Sequence, residues 1–239
     1  MQSIFKRYEK KYLLTEEQGA KVKEIILRHM VPDTYGEYLV QNLYYDTENW
    51  DVIRASLQKP VYKEKLRLRC YGEVGDASEL FLELKKKCKG IVYKRRIILS
   101  AKAFAEESIR AAVSQTPSQI AREIDFYLQS KAVSQKIYIA YQRLAFSGVE
   151  DEGLRITFDT DVRFRLNDLS LLGTGAEQNI LSQGNILMEV KTLGGMPLWL
   201  AAALSKHGVF PVGFSKFGVC YTDYILKQMD EKRKVILSA

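Results

Sequence analysis

The chain has 239 residues, which fits one large domain or two small ones, and 46% hydrophobic with 27% charged residues is the profile of an ordinary soluble globular protein with a real core. Its 36 Lys and Arg exceed the 29 Asp and Glu by 7, so an anionic partner is favoured: nucleic acid, anionic lipid, nucleotide or phosphate. Cys70, Cys88 and Cys220 form no close pair, which argues against a disulfide framework or a zinc cluster and for a reducing compartment.

Period-two and period-3.6 segments alternate along the chain without a linker or charge block, so a single domain over residues 1–239 is expected. The first expected strand covers 4–14. Thr15 then caps a helix with Glu16 and Glu17 in its first turn and Val22, Ile25 and Ile26 on its apolar stripe, closed by Pro32. Strands follow at 38–46, 62–72, 79–88 and 91–100. Thr116 and Pro117 open a second helix, with Ile120, Ile124, Tyr127 and Leu128 on one face. Further strands are expected at 136–148, 153–159, 162–167 and 185–192. A helical segment runs from Pro197 to near Gly208, and a last helix starts at Ser215 and buries Phe217, Cys220, Tyr221 and Tyr224. Short turns between most strands point to an antiparallel sheet or barrel. The start of the chain is too charged for a signal peptide, and the best apolar run, 198–204, is too short to span a bilayer, so a cytoplasmic protein is expected.

The strand KEKLRLRCYG places Lys65, Arg67 and Arg69 on one face and Leu66, Leu68 and Cys70 on the other. Alone, it reads as a half-exposed strand with its polar side in water. The pattern recurs, however: Glu83 and Lys85 alternate with Leu82 and Leu84, Glu189 and Lys191 with Met188 and Val190, and Arg7, Glu9 and Lys11 with Tyr8, Lys10 and Tyr12. Arg143 and the pair Arg155 and Asp159 add two more strands. A closed or nearly closed barrel, charged inside and apolar outside beneath the helices, unites these faces.

So many cations in one cavity repel one another unless a polyanion neutralises them, and a chain of phosphates would do so through charge-assisted hydrogen bonds. Each Glu then has two readings: a ligand for Mg²⁺ or Mn²⁺, or a cross-strand partner of Lys. Lys216, just after the cap Ser215, either joins a helix N-terminus in binding an anion or is a solvated surface residue. Neither a GxxxxGK[ST] loop nor GxGxxG is present, and His29 and His207 stand alone, so P-loop, dinucleotide and His-centred chemistry lack support. General nucleic-acid binding ranks last because the basic faces lack interleaved aromatics for base stacking.

In order along the chain, KKYLL, NLYYDT, KLRLRCYG, FLELKKK, YKRR, YQRLAF, LRITFDTD, ILMEVK and FSKF resemble the catalytic domain of the vacuolar transporter chaperone (VTC) polyphosphate polymerases, in the triphosphate tunnel metalloenzyme superfamily. The resemblance implies an α+β fold with an antiparallel eight-stranded tunnel barrel, a charged interior and helices packed outside. It implies Lys65, Arg67, Arg69, Lys85, Arg143 and Arg155 as catalytic phosphate ligands. Lys11, Lys94, Lys191 and Lys216 would bind nucleotide and polyphosphate, Glu189 the metal, with Glu83 as a further metal candidate. ATP and polyphosphate are the implied partners, Mn²⁺ or Mg²⁺ the cofactor, and polyphosphate synthesis the implied reaction, with triphosphate hydrolysis or non-catalytic polyphosphate sensing as alternatives. Two departures stand out: Arg7 where hydrolytic relatives carry the first Glu of Glu-x-Glu-x-Lys, and Gly213 where the polymerases carry a further Lys. The resemblance also points to a stand-alone, bacterial version that relies on a membrane-protein partner for transport.

Overall fold

The structure is a computed structural model, and it describes residues 8–89, 91–102 and 108–237. Arg7 therefore lies outside the described residues. The strands are β1 (Tyr8–Leu14), β2 (Met30–Asp46), β3 (Tyr62–Tyr71), β4 (Glu79–Cys88), β5 (Ile91–Ser100), β6 (Ser134–Gly148), β7 (Arg155–Arg165), β8 (Gln178–Asn179), β9 (Ile186–Thr192) and β10 (Pro211–Val212). They form one antiparallel sheet in the order β10-β1-β9-β7-β6-β2-β3-β4-β5, with β8 beside β7. The helices are α1 (Glu16–Ile26), α2 (Asp51–Leu57), α3 (Ile109–Ser114), α4 (Gln119–Lys131), α5 (Leu198–Lys206) and α6 (Lys216–Cys220), which continues through a π-helical turn (Tyr221–Ile225) into α7 (Leu226–Leu237).

The antiparallel α+β architecture matches the sequence expectation, but among the described residues the sheet has ten strands and its hydrogen-bond ladder does not close, so the expected eight-stranded barrel is not what these strands form. It curls strongly all the same. Strand β4 lies six places from β1 in the sheet order, yet Lys85 Nζ comes within 3.8 Å of Glu9 Oε2.

Several boundaries differ for local reasons. Helix α1 has its capping box, Thr15 Oγ1 accepting from Gln18 N at 3.2 Å and Gln18 Oε1 from Thr15 N at 3.0 Å. It ends at Leu27, well before Pro32, which lies inside β2 where the β2–β6 register shifts between Pro32 and Glu37. Proline has no N–H for the ladder, so an irregular stretch tolerates it. The cap of α4 is Ser118, three residues before Ala121 N, and not Thr116. The expected strands 153–159 and 162–167 are one strand, β7, bent at Asp161 with φ 48°. Helix α2 escaped the sequence reading because its cap is remote: Asp46 accepts from the backbone N–H of Thr47, Val52 and Ile53 at 2.8, 2.9 and 2.9 Å.

Two apolar clusters cover the outer face of the sheet. Leu66, Leu68, Leu82, Leu84 and Ile97 pack under α3 and α4 through Val113, Ile124 and Leu128, while Tyr12, Phe158, Met188 and Val190 pack under α1 and α5 through Val22, Ile26, Leu200 and Leu204. A third cluster fills part of the inner face: Tyr44, Ile137, Ile139, Phe164 and Leu187 meet Phe217, Cys220, Tyr221 and Ile225 of α6 and the π turn. The expected charged interior is thus only part of the inside. The C-terminal helix occupies the rest and confines the charged side chains to one channel.

Candidate phosphate-binding cavity

That channel is a cavity of about 170 Å³ lined by Glu9, Lys11, Tyr44, Lys65, Arg67, Arg69, Lys85, Tyr141, Arg143, Glu189, Lys191, Ser215, Lys216 and Phe217. Alternation along β1, β3, β4, β6 and β9 aims these side chains inward while their leucine neighbours point out to the helices. Of the expected site residues, Lys11, Lys65, Arg67, Arg69, Lys85, Arg143, Glu189, Lys191 and Lys216 come together here.

The arginines are held by groups behind the wall. Arg143 makes a two-pronged pair with Asp159 at 2.7 and 2.8 Å, and Lys216 Nζ donates to the same carboxylate at 2.5 Å. Arg69 donates through Nε to Asn42 Oδ1 at 2.9 Å and through its other nitrogens to the hydroxyls of Tyr71 and Tyr141 at 3.3 and 3.2 Å. Arg67 donates to Glu83 Oε2 through Nε at 2.9 Å and to the Tyr44 hydroxyl at 3.2 Å. Fixed forks of this kind present their remaining N–H groups with little further ordering.

Glu83 departs from its expected metal role. It is 1% exposed, and both carboxylate oxygens are taken: Oε2 by Arg67, and Oε1 by Lys94 at 2.6 Å and by Arg96. Lys94 thus lies on the inward face with Arg96, while Arg95 turns outward to Glu123 at 3.1 Å; Lys94 joins the ion-pair cluster and not the cavity lining. Arg155 is also set apart, paired with Asp33 at 2.5 Å near one end of the sheet.

Glu189 faces Lys11 at 3.2 Å, Lys191 at 3.3 Å and Lys216 at 4.0 Å. Burial alone would raise its carboxyl, but Lys11, Lys216, Lys191 and Arg143 outweigh that and hold it well below the usual carboxylate range. Burial raises Glu9 too, and Lys85, Lys11 and Lys191 outweigh it, so its carboxyl also ends below the ordinary value. Lys65 is the opposite case. Burial, then the charges of Lys63, Lys85 and Lys11, lower its ammonium to about 7. Burial and nearby cations pull Lys85 down as well, despite Glu9. Tyr141, whose hydroxyl burial pushes up, is brought down to about 8 by Arg143, Arg69 and Lys216. Eight basic side chains face two lining carboxylates, and even with Asp159 behind Arg143 and Lys216 and Glu83 behind Arg67 the basic groups remain in excess, the condition an oligophosphate relieves.

A family model for the VTC domain matches residues 6–224. The chain belongs to the VTC domain family. VTC domains fall in the CYTH-like tunnel superfamily, and the family is associated with polyphosphate synthesis. No curated protein matches this VTC domain. Among solved structures it is similar to PH1819 from Pyrococcus horikoshii OT3 (16% identity, TM-score 0.44, covering 90% of this chain and 99% of that one). It is also similar to a provisional adenylate cyclase from Vibrio parahaemolyticus (12%, 0.49, 92% and 100%) and to the Mediator head module of Schizosaccharomyces pombe (12%, 0.45, 84% and 90%).

The family is typically metal-dependent. Among the described residues of this VTC domain, no group of three or more His, Cys, Asp or Glu is arranged to hold an ion unaided. Glu189 and Glu9 do offer hard carboxylate oxygens in the cavity, which fits Mg²⁺ or Mn²⁺ arriving with phosphate and keeping phosphate oxygens and water as its other ligands. Tyr44, Tyr141 and Phe217 were not singled out as site residues from sequence, and Tyr44 and Phe217 give no signal beyond an ordinary core aromatic; Glu9 and Asp159 were placed on the charged strand faces, though only Glu189 and Glu83 were named as metal candidates.

Proposed function

We propose that this VTC domain transfers the γ-phosphoryl group of ATP to the end of an inorganic polyphosphate chain, with the curled sheet serving as the tunnel. The observation that carries the reading is the convergence of Lys65, Arg67, Arg69, Lys85, Arg143, Lys191 and Lys216 on one cavity that holds only two carboxylates. Phosphoryl transfer passes through a loose transition state with charge spread over the equatorial oxygens, so positioned guanidinium and ammonium groups supply most of what is required. Arg67, Arg69 and Arg143, braced by Glu83, Asn42 and Asp159, orient the chain; Lys65, Lys85 and Lys216 compensate charge that moves toward the leaving oxygen. Glu189, with Glu9, would hold Mg²⁺ or Mn²⁺, which adds charge neutralisation on the bridging oxygens. Glu83 and Lys94 support the wall, and Arg155 is an outlying contact at the end of the channel.

A terminal phosphate acceptor is already ionised and needs no general base. The two cavity carboxylates, held below their ordinary values, are poor bases, whereas Lys65, with its ammonium lowered to about 7, is a group able to activate water, so the products formed decide between the two acceptors. No helix among the described residues is long and apolar enough to cross a membrane. Gly213, where the resemblance implies a further Lys in the polymerases, supplies no side-chain phosphate contact, which bears on rate or chain length.

The test is incubation of the purified protein with ATP and Mn²⁺ followed by gel analysis of phosphate products. Chains longer than pyrophosphate are expected from wild type, with at least a hundredfold loss, about 3 kcal/mol of transition-state stabilisation, in Arg67→Ala. Orthophosphate without polymer would reverse the reading in favour of hydrolysis.

A further inference from the structure

At the mouth of the cavity, the β3–β4 hairpin carries facing lysine pairs, one of which, Lys65 with Lys85, also lines the inner site. Lys63 lies directly opposite Lys87 across the two strands, and Lys65 lies opposite Lys85, which in turn faces Lys94 of β5. Like charges directly opposite one another destabilise a sheet. Among the described residues, no carboxylate lies within ion-pair distance of Lys63, Lys65 or Lys87. Burial, then the charges of Lys87 and Lys59, lowers the ammonium of Lys63.

These rows lie in a second cavity, of about 660 Å³, that shares Glu9, Lys11, Lys65, Lys85 and Ser215 with the inner one and widens outward past Lys59, Lys63 and Lys87; Glu9 pairs there with Lys85 at 3.8 Å and Lys11 at 3.7 Å. Glu64 also borders it, but that carboxylate is engaged by Lys86 at 3.6 Å and by the Tyr62 hydroxyl at 2.5 Å. The opposite end of the same hairpin is different in kind. There Tyr71 packs edge-on to Phe81 and Tyr38 at 5.5 and 6.0 Å, and Arg155 is neutralised by Asp33. The channel therefore differs between its ends, aromatic and neutralised at one and lysine-rich at the other, where Lys63 and Lys87 have no carboxylate partner among the described residues.

We propose that the polyphosphate chain leaves the cavity at the Lys63–Lys87 end, running over the paired lysine rows to the surface. The inference rests on the polyphosphate reading and adds a direction to it. An extended polyanion spanning both rows would offset each like-charge pair in turn, including that of Lys63, whose ammonium otherwise donates to the Ser56 carbonyl at 3.2 Å.

The experiment compares binding of tripolyphosphate and of long-chain polyphosphate by titration calorimetry, in wild type and in the double variant Lys63→Gln, Lys87→Gln. Tripolyphosphate fits within the inner cavity, so its affinity should stay within about twofold. Long-chain affinity should fall roughly three- to tenfold, with a shallower dependence on salt. Should the double variant misfold, Lys87→Gln alone, at an exposed position, should move long-chain binding in the same direction. Unchanged long-chain affinity in a folded variant would overturn the exit route while leaving the inner site standing. Failure of wild type to bind either anion would instead overturn the polyphosphate reading, and the exit route with it.

Discussion

Lys65 is the residue whose chemistry is most exposed to test. With its ammonium lowered to about 7, against about 10.4 for a free lysine, the unfolded chain binds more protons than the folded one between those values. The empty protein therefore gains stability as pH rises from 7 toward 10, and below 7 this contribution no longer changes. A phosphate chain reverses the preference by favouring the charged ammonium. Binding of tripolyphosphate at pH 8 should accordingly take up close to one proton, measurable by calorimetry in buffers of different ionisation enthalpy, and Lys65→Met should abolish most of that uptake. No uptake in wild type would mean that Lys65 does not meet the anion.

At the scale of elements, Glu83 connects three strands. From β4 it reaches Arg67 on β3 and Lys94 and Arg96 on β5, the edge of the open sheet, on the face not covered by α3 and α4. Its carboxyl is held far below the ordinary value, chiefly against burial, by Arg67, Arg69 and Lys94, so its contribution is complete above about pH 5 and is lost only in strong acid. Glu83→Gln leaves buried cations without their partner and should cost about 3–5 kcal/mol in chemical denaturation. A loss below about 1 kcal/mol would show that the cluster does not pin β5.

The strands that carry this cluster were legible in sequence because alternation sorts charged from apolar residues at every second position, and β3, β4 and β5 appear within one residue of their expected bounds. What stayed hidden depends on contacts between distant segments. The role of Glu83 required knowing that Lys94 and Arg96 face it across the β4–β5 ladder. Likewise, α2 has no cap of its own, since Trp50 at that position takes φ 61° and makes no side-chain cap bond.

For the whole molecule, the sequence conveyed a charged inner face and an apolar outer one, and the curled antiparallel sheet carries both. Its openness, and the filling of one side by Phe217, Tyr221 and Ile225, were not legible: those residues have the spacing of any amphipathic helix, and only the fold places them inside. This filling narrows the channel to a volume near 170 Å³ and sets Lys216 over the Tyr141 ring at 4.1 Å, beside Asp159 and Glu189. On the proposed function, this narrowed, cation-rich channel seats a linear phosphate chain. The most direct measurement is a crystal structure with tripolyphosphate and Mn²⁺. The anion should lie between Lys65, Arg67, Arg69 and Lys85 with metal density near Glu189; an ordered anion bound elsewhere, with the channel filled by water alone, would contradict the account.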